Sequence, residues 1–187
     1  MTAAGKGMNW RKVASRIRVP LGFVCAFIYL WLARPDWPSI VIGGLLASLG
    51  VAVRALASGH VKKNEELTTT GPYAYTRNPL YLGSIIIAAG FAVAARSPWI
   101  VILLVVMFLA IYVPVIRSEE AFLESKFADY PAYAARVPRL IPRLGMVSNP
   151  GSGFSLELYL KHREYNAVIG ALLVVAALIV KLIWQAR

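Results

Sequence analysis

Five long apolar runs constrain the fold of this chain more than any other feature. A helix that crosses a bilayer needs roughly 20 predominantly apolar residues, with about 17–25 tolerated. The runs predict an all-α, polytopic integral membrane protein with about five transmembrane helices, since 58% of the residues are hydrophobic. In chain order they are Val19–Ala33, Ser39–Ala57, Pro79–Ala95, Pro98–Ile116 and Ala167–Trp184.

The connections between the runs predict an orientation in the membrane. Arg34–Pro38 and Arg96–Pro98 are tight turns, which predicts that runs one and two, and runs three and four, form antiparallel hairpins; Arg54–Asn78 and Arg117–Asn166 are long and polar. The N-terminal tail carries five Lys and Arg, the long segments carry four and seven, and each turn carries one. Loops rich in Lys and Arg stay in the cytoplasm. We therefore expect the N-terminus and both long segments to be cytoplasmic.

The net charge of +11 raises the question of nucleic acid as a partner. The basic residues flank apolar runs and form no stripe interleaved with aromatic residues, so a bilayer surface explains them better and we expect no nucleic-acid binding. The chain has a single cysteine, Cys25, and two histidines. This set supplies no intramolecular disulfide and no zinc ligand group, so we expect no metal site.

The organisation of the chain indicates one domain, residues 1–187. Its core motifs occupy residues 60–143, and residues 148–153 read as a Gly/Ser/Pro linker. Residues 154–187 then predict a helix in the membrane interface, followed by an additional C-terminal span.

One group of polar and aromatic residues surrounds the start of the third run. Asn78 and Pro79 are typical of an N-cap followed by proline in the first helical position. The unpaired N–H groups of such a helix start favour an anion, and Arg77 stands beside them. An ordinary interfacial helix start is the alternative interpretation. The aromatic faces that can hold a cation or an adenine ring belong to Tyr73, Tyr75 and Tyr81.

A second group follows the fourth run, which is predicted to continue as a helix beyond the membrane. Glu119 and Glu120 come within one turn of the membrane edge, where unpaired acids are costly. Their neighbours read alternatively as a solvated amphipathic surface. Further along, Tyr130, Tyr133 and Val137 predict an apolar stripe on a short helix. Arg54, late in the second run, either extends to the interface or reaches into the same site.

Together the two groups resemble the membrane-bound methyltransferases related to isoprenylcysteine carboxyl methyltransferase and phospholipid methyltransferase. The resemblance covers residues 67–142. The resemblance rests on the residues Gly71-Pro72-Tyr73, Arg77–Gly83, Glu119-Glu120 and Arg136–Arg139. Asn78 stands where many members have histidine, and Ala128 where the family often has glycine.

The resemblance implies S-adenosyl-L-methionine as cofactor, in a cytoplasmic pocket formed by loops and helix ends. It also implies a lipophilic acceptor of the isoprenylcysteine carboxylate kind, reached from the lipid bilayer. It implies Glu120, Arg117 and Arg136 as catalytic residues. The residues implied for cofactor binding are His60, Tyr73, Tyr75, Arg77, Asn78, Pro79, Tyr81, Leu82, Glu119 and Glu120.

Two other functions stay open at this point. A membrane reductase of the sterol reductase type, using NADPH, is similar in part of the second group. A non-enzymatic membrane module is the other alternative. The sequence leaves open whether the methyl acceptor is a carboxylate, an amine or a thiol. It also leaves open the oligomeric state, although Gly43-Gly44 and Gly50 permit close helix packing.

Overall fold

The computed structural model describes residues 24–62, 65–143 and 153–186, and within these ranges it is all-helical. Helix α1 covers residues 24–32. A 3₁₀ turn at Gly71–Ala74 precedes α3, and a π-helical turn at Phe108–Tyr112 joins α4 to α5. The remaining helices are α2 Trp37–Ser58, α3 Pro79–Ala95, α4 Pro98–Met107, α5 Val113–Lys126, α6 Tyr130–Arg136, α7 Leu156–Lys161 and α8 Tyr165–Gln185.

Three helices of the described residues are long and apolar enough to cross a membrane. They are α2, the continuous 29-residue helix Pro98–Lys126, and α8. Three of the five predicted spans are thus confirmed in length and composition. Helix α3 is apolar but has only 17 residues, and the first predicted run begins outside the described residues.

The start of α2 is fixed by a reciprocal cap. The Ser39 N–H donates to the Asp36 carboxylate over 2.8 Å, and the Asp36 N–H donates to the Ser39 hydroxyl over 3.0 Å. The hydrogen bond from the Ser39 backbone, with lesser help from Arg96, holds the pKa of Asp36 below its usual value. Two donors that a helix start would leave unpaired are thereby satisfied.

The central packing of the fold is the close approach of α2 to α3. A Cβ atom placed on Gly50 would lie 2.6 Å from the carbonyl oxygen of Gly83, and one placed on Gly90 would lie 2.6 Å from the backbone nitrogen of Ala47. Small residues therefore let the two backbones touch, as in membrane helix pairs generally. Both predicted tight turns are present, but α2 packs far more extensively on α3 than α3 packs on α4.

The two tight turns lie together at one end of the bundle, here called the turn end. The Arg34 N–H donates to the Ala95 carbonyl over 2.8 Å, and Arg96 pairs with Asp36. Lys181 of α8 donates to the Ala33 carbonyl over 2.6 Å, which gives a partner to a carbonyl at the C-terminal end of α1. The opposite end, where α2 ends and α3 begins, is here called the cavity end.

The outer surface of the helices is apolar, as expected where lipid surrounds a protein. Leu45, Leu49 and Leu172 are examples of large exposed side chains on α2 and α8. Exposed tryptophans collect at the turn end, as is typical of an interface with the headgroups. They are Trp31, Trp37, Trp99 and Trp184.

The π-helical turn has a local cause in the sequence. Pro114 has no N–H to offer to the helix, and its ring would collide with the carbonyl of the preceding turn. The Val113 N–H instead reaches the Phe108 carbonyl, five residues back. Such single π turns often occur at functional sites, and this one places Tyr112 edge-on against Tyr81 of α3, with 5.8 Å between the ring centres.

Candidate functional site

A cavity of about 730 Å³ opens at the cavity end of the bundle. Its walls come from the end of α2, the start of α3, the middle of α5 and the segment just before α8. The cavity has the size typical of a small-molecule site. Of the residues implied for the cofactor, six line it: Tyr73, Arg77, Asn78, Pro79, Tyr81 and Glu119.

The other residues implied by the resemblance lie outside the cavity wall. The Nδ1–H of His60 donates to the Leu56 carbonyl over 2.7 Å, and the ring packs against Gly71. Arg117 and Arg136 are exposed, and the Arg136 Nε–H donates to Ala132 of its own helix. The residues of the implied set that do not line the cavity are His60, Tyr75, Leu82, Glu120, Arg117 and Arg136.

Glu120 sits one layer behind the wall and joins the two motif regions. Its carboxylate is buried and accepts from the guanidinium of Arg139 over 2.8 Å and from the amide of Asn78 over 3.1 Å. Arg77 lies 3.7 Å from the same carboxylate. The hydrogen bond to Glu120, followed by its charge, raises the pKa of Arg139. Glu120 thus positions Arg77 and Asn78, both of which line the cavity.

The side chain of Asn78 does not cap α3 as predicted but binds the second motif region. Asn78 is the N-cap of α3 and Pro79 follows it, as predicted, but no side-chain cap bond forms. Its amide nitrogen donates instead to Glu120 and, over 2.9 Å, to the Arg139 carbonyl. These two acceptors hold the amide group away from the helix start.

The backbone also fastens the two motif regions together. The Arg77 N–H donates to the Pro138 carbonyl over 2.9 Å, and the Arg143 N–H donates to the Tyr75 carbonyl over 3.1 Å. The predicted apolar stripe supports these contacts, because Tyr130, Tyr133 and Val137 are buried in one cluster. Two segments about sixty residues apart therefore form a single wall.

Arg77 is the most distinctive residue of the wall. Its Nη1 donates to the Tyr130 hydroxyl over 3.3 Å, and its charge is only partly shared with Glu120 at 3.7 Å. Its buried Nε–H has no acceptor among the described residues. A buried donor without a partner is costly. An anionic group in the cavity, beside the start of α3, would pair with the charge of the Arg77 guanidinium and with the helix dipole.

Three tyrosines, Tyr73, Tyr81 and Tyr133, line the same wall and stay neutral. Burial raises the pKa of Tyr73, and the Tyr133 hydroxyl donates to its carbonyl over 2.7 Å. The Tyr81 hydroxyl donates to the Glu119 carboxylate over 2.8 Å. Neutral aromatic rings beside a carboxylate suit a ligand that carries positive charge.

The cavity reverses the charge balance of the chain. Its described lining carries two basic residues, Lys62 and Arg77, against three glutamates, Glu66, Glu119 and Glu164. The cavity is therefore slightly acidic in a chain of net charge +11. Four lining residues were not predicted from the sequence: Lys62, Glu66, His162 and Glu164. Their one sequence signal is the concentration of acidic residues in the two long polar segments.

A second, apolar groove of about 440 Å³ runs along the bundle between α3 and α4. Its walls include Ala88, Ala92, Leu104 and Val105, and Tyr112 lies at one end. Because Tyr112 packs on Tyr81 of the cavity wall, the groove and the cavity meet at this tyrosine pair. Across the described residues, no group of three or more His, Cys, Asp or Glu side chains is arranged to hold a metal ion.

Residues 39–130 match the phospholipid methyltransferase family. The chain is 33% identical over 136 residues to the cobalt-zinc-cadmium resistance protein CzcN of Cupriavidus metallidurans, covering 69% of this chain and 63% of that protein. It is 36% identical over 117 residues to the nickel-cobalt-cadmium resistance protein NccN of Alcaligenes xylosoxydans xylosoxydans, covering 62% and 54%.

A third relative is the protein-S-isoprenylcysteine O-methyltransferase of Schizosaccharomyces pombe, 30% identical over 142 residues, which cover 73% of this chain and 60% of that protein. The chain thus spans less than two thirds of the length of each of these relatives. No solved structure gives a significant match. Residues 39–130, about half of the chain, thus match the phospholipid methyltransferase family, and an isoprenylcysteine O-methyltransferase is a distant homologue of this chain.

Proposed function

We propose that this protein is an integral membrane methyltransferase that uses S-adenosylmethionine and acts on a lipophilic, membrane-embedded acceptor. One observation carries the proposal: the start of α3 and the middle of α5, both within the matched family segment, face one cavity with Arg77 and Glu119. A reductase using NADPH and a non-enzymatic membrane module remain the competing functions, and the titration described below separates them.

The cavity residues fit the charges of this cofactor. S-adenosylmethionine carries a carboxylate, an ammonium and a sulfonium, hence one net positive charge at neutral pH. The cavity has an excess of one acidic residue. The guanidinium of Arg77 suits the carboxylate, Glu119 suits a cationic or hydroxyl group, and the faces of Tyr73 and Tyr81 suit the sulfonium.

The work of the protein in such a reaction is alignment and exclusion of water. The cofactor supplies, when bound, a methyl carbon already activated by positively charged sulfur. Arg77 and the start of α3 would fix one end of the ligand, and the tyrosine pair Tyr81–Tyr112 would fix the direction from which the acceptor approaches. Alignment of this kind accelerates a displacement strongly without a covalent intermediate on the protein.

The apolar groove supports a lipophilic acceptor. It lies among helices whose outer surfaces are apolar, and it ends at Tyr112, next to the cavity. An acyl or prenyl chain lying in the groove would place its polar end at the tyrosine pair. The name of the Schizosaccharomyces pombe relative gives a prenylated cysteine as one acceptor of this kind.

The proposal is tested by calorimetric titration of the purified protein in detergent with S-adenosylhomocysteine, and in parallel with NADPH. Micromolar binding of S-adenosylhomocysteine alone is expected. Binding of NADPH alone would move the protein to the reductases, and binding of neither compound would favour the non-enzymatic module.

Replacing Arg77 with alanine is expected to weaken S-adenosylhomocysteine binding by roughly 10- to 100-fold. A hydrogen bond to a charged group is worth about 1.5–3 kcal/mol, and each 1.4 kcal/mol is about tenfold in affinity. Arg143→Ala is the matched control, since Arg143 is exposed and contacts the site through its backbone N–H. Equal affinities of the two variants would remove Arg77 from the ligand site.

We also propose that the cavity end faces the cytoplasm, as the distribution of Lys and Arg indicates. Single cysteines at Ser125, near the cavity end, and at Arg34, at the turn end, would be placed in a Cys25→Ser background. Both positions are exposed. A membrane-impermeant thiol reagent added to intact cells should label position 34 and leave position 125 unlabelled; the reverse pattern would invert the topology.

A further inference from the structure

The segment before α8 lies outside residues 39–130, the matched family range, yet it forms part of the cavity wall. It is fastened to the end of α2. The Ser155 N–H donates to the Gly59 carbonyl over 2.9 Å. The ring of Phe154 lies so close to Gly59 that a Cβ atom there would collide with it. The segment is therefore packed on the domain rather than appended to it.

An ion pair with α2 also fixes the start of α8. Arg54 of α2 and Glu164 form a bidentate contact, with Nε and Nη2 donating to the two carboxylate oxygens over 3.0 and 2.7 Å. The Nη1 of Arg54 donates to the Ser84 hydroxyl of α3 over 2.5 Å. The two side chains are only 24% and 13% exposed. This contact, here called the clasp, ties α2, α3 and α8 together at the cavity.

The clasp and the Phe154 contact hold His162 in the cavity wall. The Nδ1 of His162 lies 3.2 Å from the Ser58 carbonyl oxygen. A carbonyl oxygen can only accept, so this contact requires the proton on Nδ1, the tautomer that in a neutral ring leaves Nε2 as the acceptor. None of the described residues supplies a hydrogen-bond partner for Nε2.

Each charged side chain of the cavity lining has at least one partner among the described residues. Glu119 accepts from Tyr81, Glu164 accepts from Arg54, and Glu66 pairs with Lys62 over 3.1 Å. Arg77 is a cation and cannot accept a proton. His162 is the lining histidine of the described residues, and its Nε2 has no partner among them.

We propose that His162, held by the clasp, accepts the proton that the methyl acceptor loses, so that the acceptor reacts through an N–H or S–H group rather than a carboxylate. This inference rests on the proposed methyltransferase function. In the reaction, the acceptor nitrogen or sulfur forms a bond to the methyl carbon while the carbon–sulfonium bond breaks. That electron pair stays on the departing sulfur, which becomes a neutral thioether, and the acceptor's proton passes to Nε2 of His162.

His60 is the second histidine of the chain, and its replacement identifies the signals of His162. Its Nδ1 also contacts a carbonyl oxygen, that of Leu56, over 2.7 Å, and its ring packs against Phe154. It lies outside the cavity lining. The chain has only these two histidines, so the spectrum of the His60→Gln variant reports on His162 alone.

The test is nuclear magnetic resonance of the full chain in detergent micelles, with isotopically labelled histidine at mildly alkaline pH. The expected result is the Nδ1–H tautomer at His162 and a shift of its signals on saturation with S-adenosylhomocysteine, with His60 unmoved. The Nε2–H tautomer, or unmoved signals while calorimetry shows the ligand bound, would overturn the inference. Lack of ligand binding in calorimetry would instead overturn the proposed function itself, and the inference with it.

The chemistry is tested with three acceptors of equal chain length, dodecylamine, dodecanethiol and dodecanoate, and labelled S-adenosylmethionine. Methylation of the amine or the thiol is expected, and His162→Gln should slow it about 100-fold, the scale of general base catalysis, while Arg143→Ala, the exposed control used above, leaves it unchanged. The affinity of His162→Gln for S-adenosylhomocysteine should change by less than about twofold, since the cofactor charges are held elsewhere. Methylation of dodecanoate alone, or of none of the three compounds, would contradict the role proposed for His162.

Discussion

Replacing Glu120 with alanine is expected to cost about 3–5 kcal/mol of folding free energy and to abolish binding in the cavity. Removing one partner of a buried ion pair leaves the other charge buried without compensation, and this is the usual size of the penalty. In this protein the buried charge left without its partner would be that of Arg77, and the amide of Asn78 would lose one of its two acceptors. Thermal unfolding in detergent, followed by tryptophan fluorescence, measures the loss.

Glu124 provides the control for Glu120. It lies one turn further along the same helix and is exposed, so Glu124→Ala should unfold at the temperature of the wild type. A Glu120→Ala variant that matched this control in stability would show that the buried network contributes nothing. A variant that was destabilised but bound S-adenosylhomocysteine normally would separate the network from the ligand site.

A second large effect is expected at Gly43, on the face of α2 that touches α3. A Cβ atom on Gly43 would collide with the Gly90 carbonyl and lie 2.7 Å from the backbone nitrogen of Ala94. Backbone atoms cannot move aside singly, so Gly43→Ala forces the helices apart. Overpacking of this kind costs typically 1–3 kcal/mol and sometimes more, and the midpoint of thermal unfolding should fall accordingly.

The neighbouring Gly44 makes the comparison direct. A Cβ atom placed on it would meet nothing within 4 Å. Gly44→Ala should therefore leave stability unchanged or raise it by up to about 1 kcal/mol, because alanine favours a helix more than glycine does. Equal behaviour of the two variants would contradict the close approach of α2 and α3.

Local patterns predicted the parts of the site that depend on near neighbours in sequence. Asn78 and Pro79 do begin α3, since proline in the first turn leaves few other conformations open to the chain. Tyr130, Tyr133 and Val137 do form a buried stripe, because residues three and four apart share one face of a helix. The continuation of the fourth run past the membrane edge was predicted on the same grounds.

Partners far apart in sequence escaped prediction. The amide of Asn78 contacts Glu120, 42 residues away, and this contact decides that Asn78 does not cap its helix. His162 and Glu164 belong to a stretch of mixed charge that reads as an ordinary interfacial surface. Nothing in their local pattern indicates the end of α2 as their neighbour. Periodicity reports which face a residue occupies and not what covers that face.

The clasp also imposes an order on biosynthesis. Arg54 and Glu164 are 110 residues apart, so α2 leaves the ribosome long before its acidic partner exists. During that interval the guanidinium must be accommodated within an apolar helix by Ser84 and the Leu80 carbonyl of α3, which emerges next. The helical pair α2–α3 is thus the earliest unit able to shelter this charge. Emergence of Glu164 then completes the site, so a chain arrested before that residue is expected to be inserted but inactive.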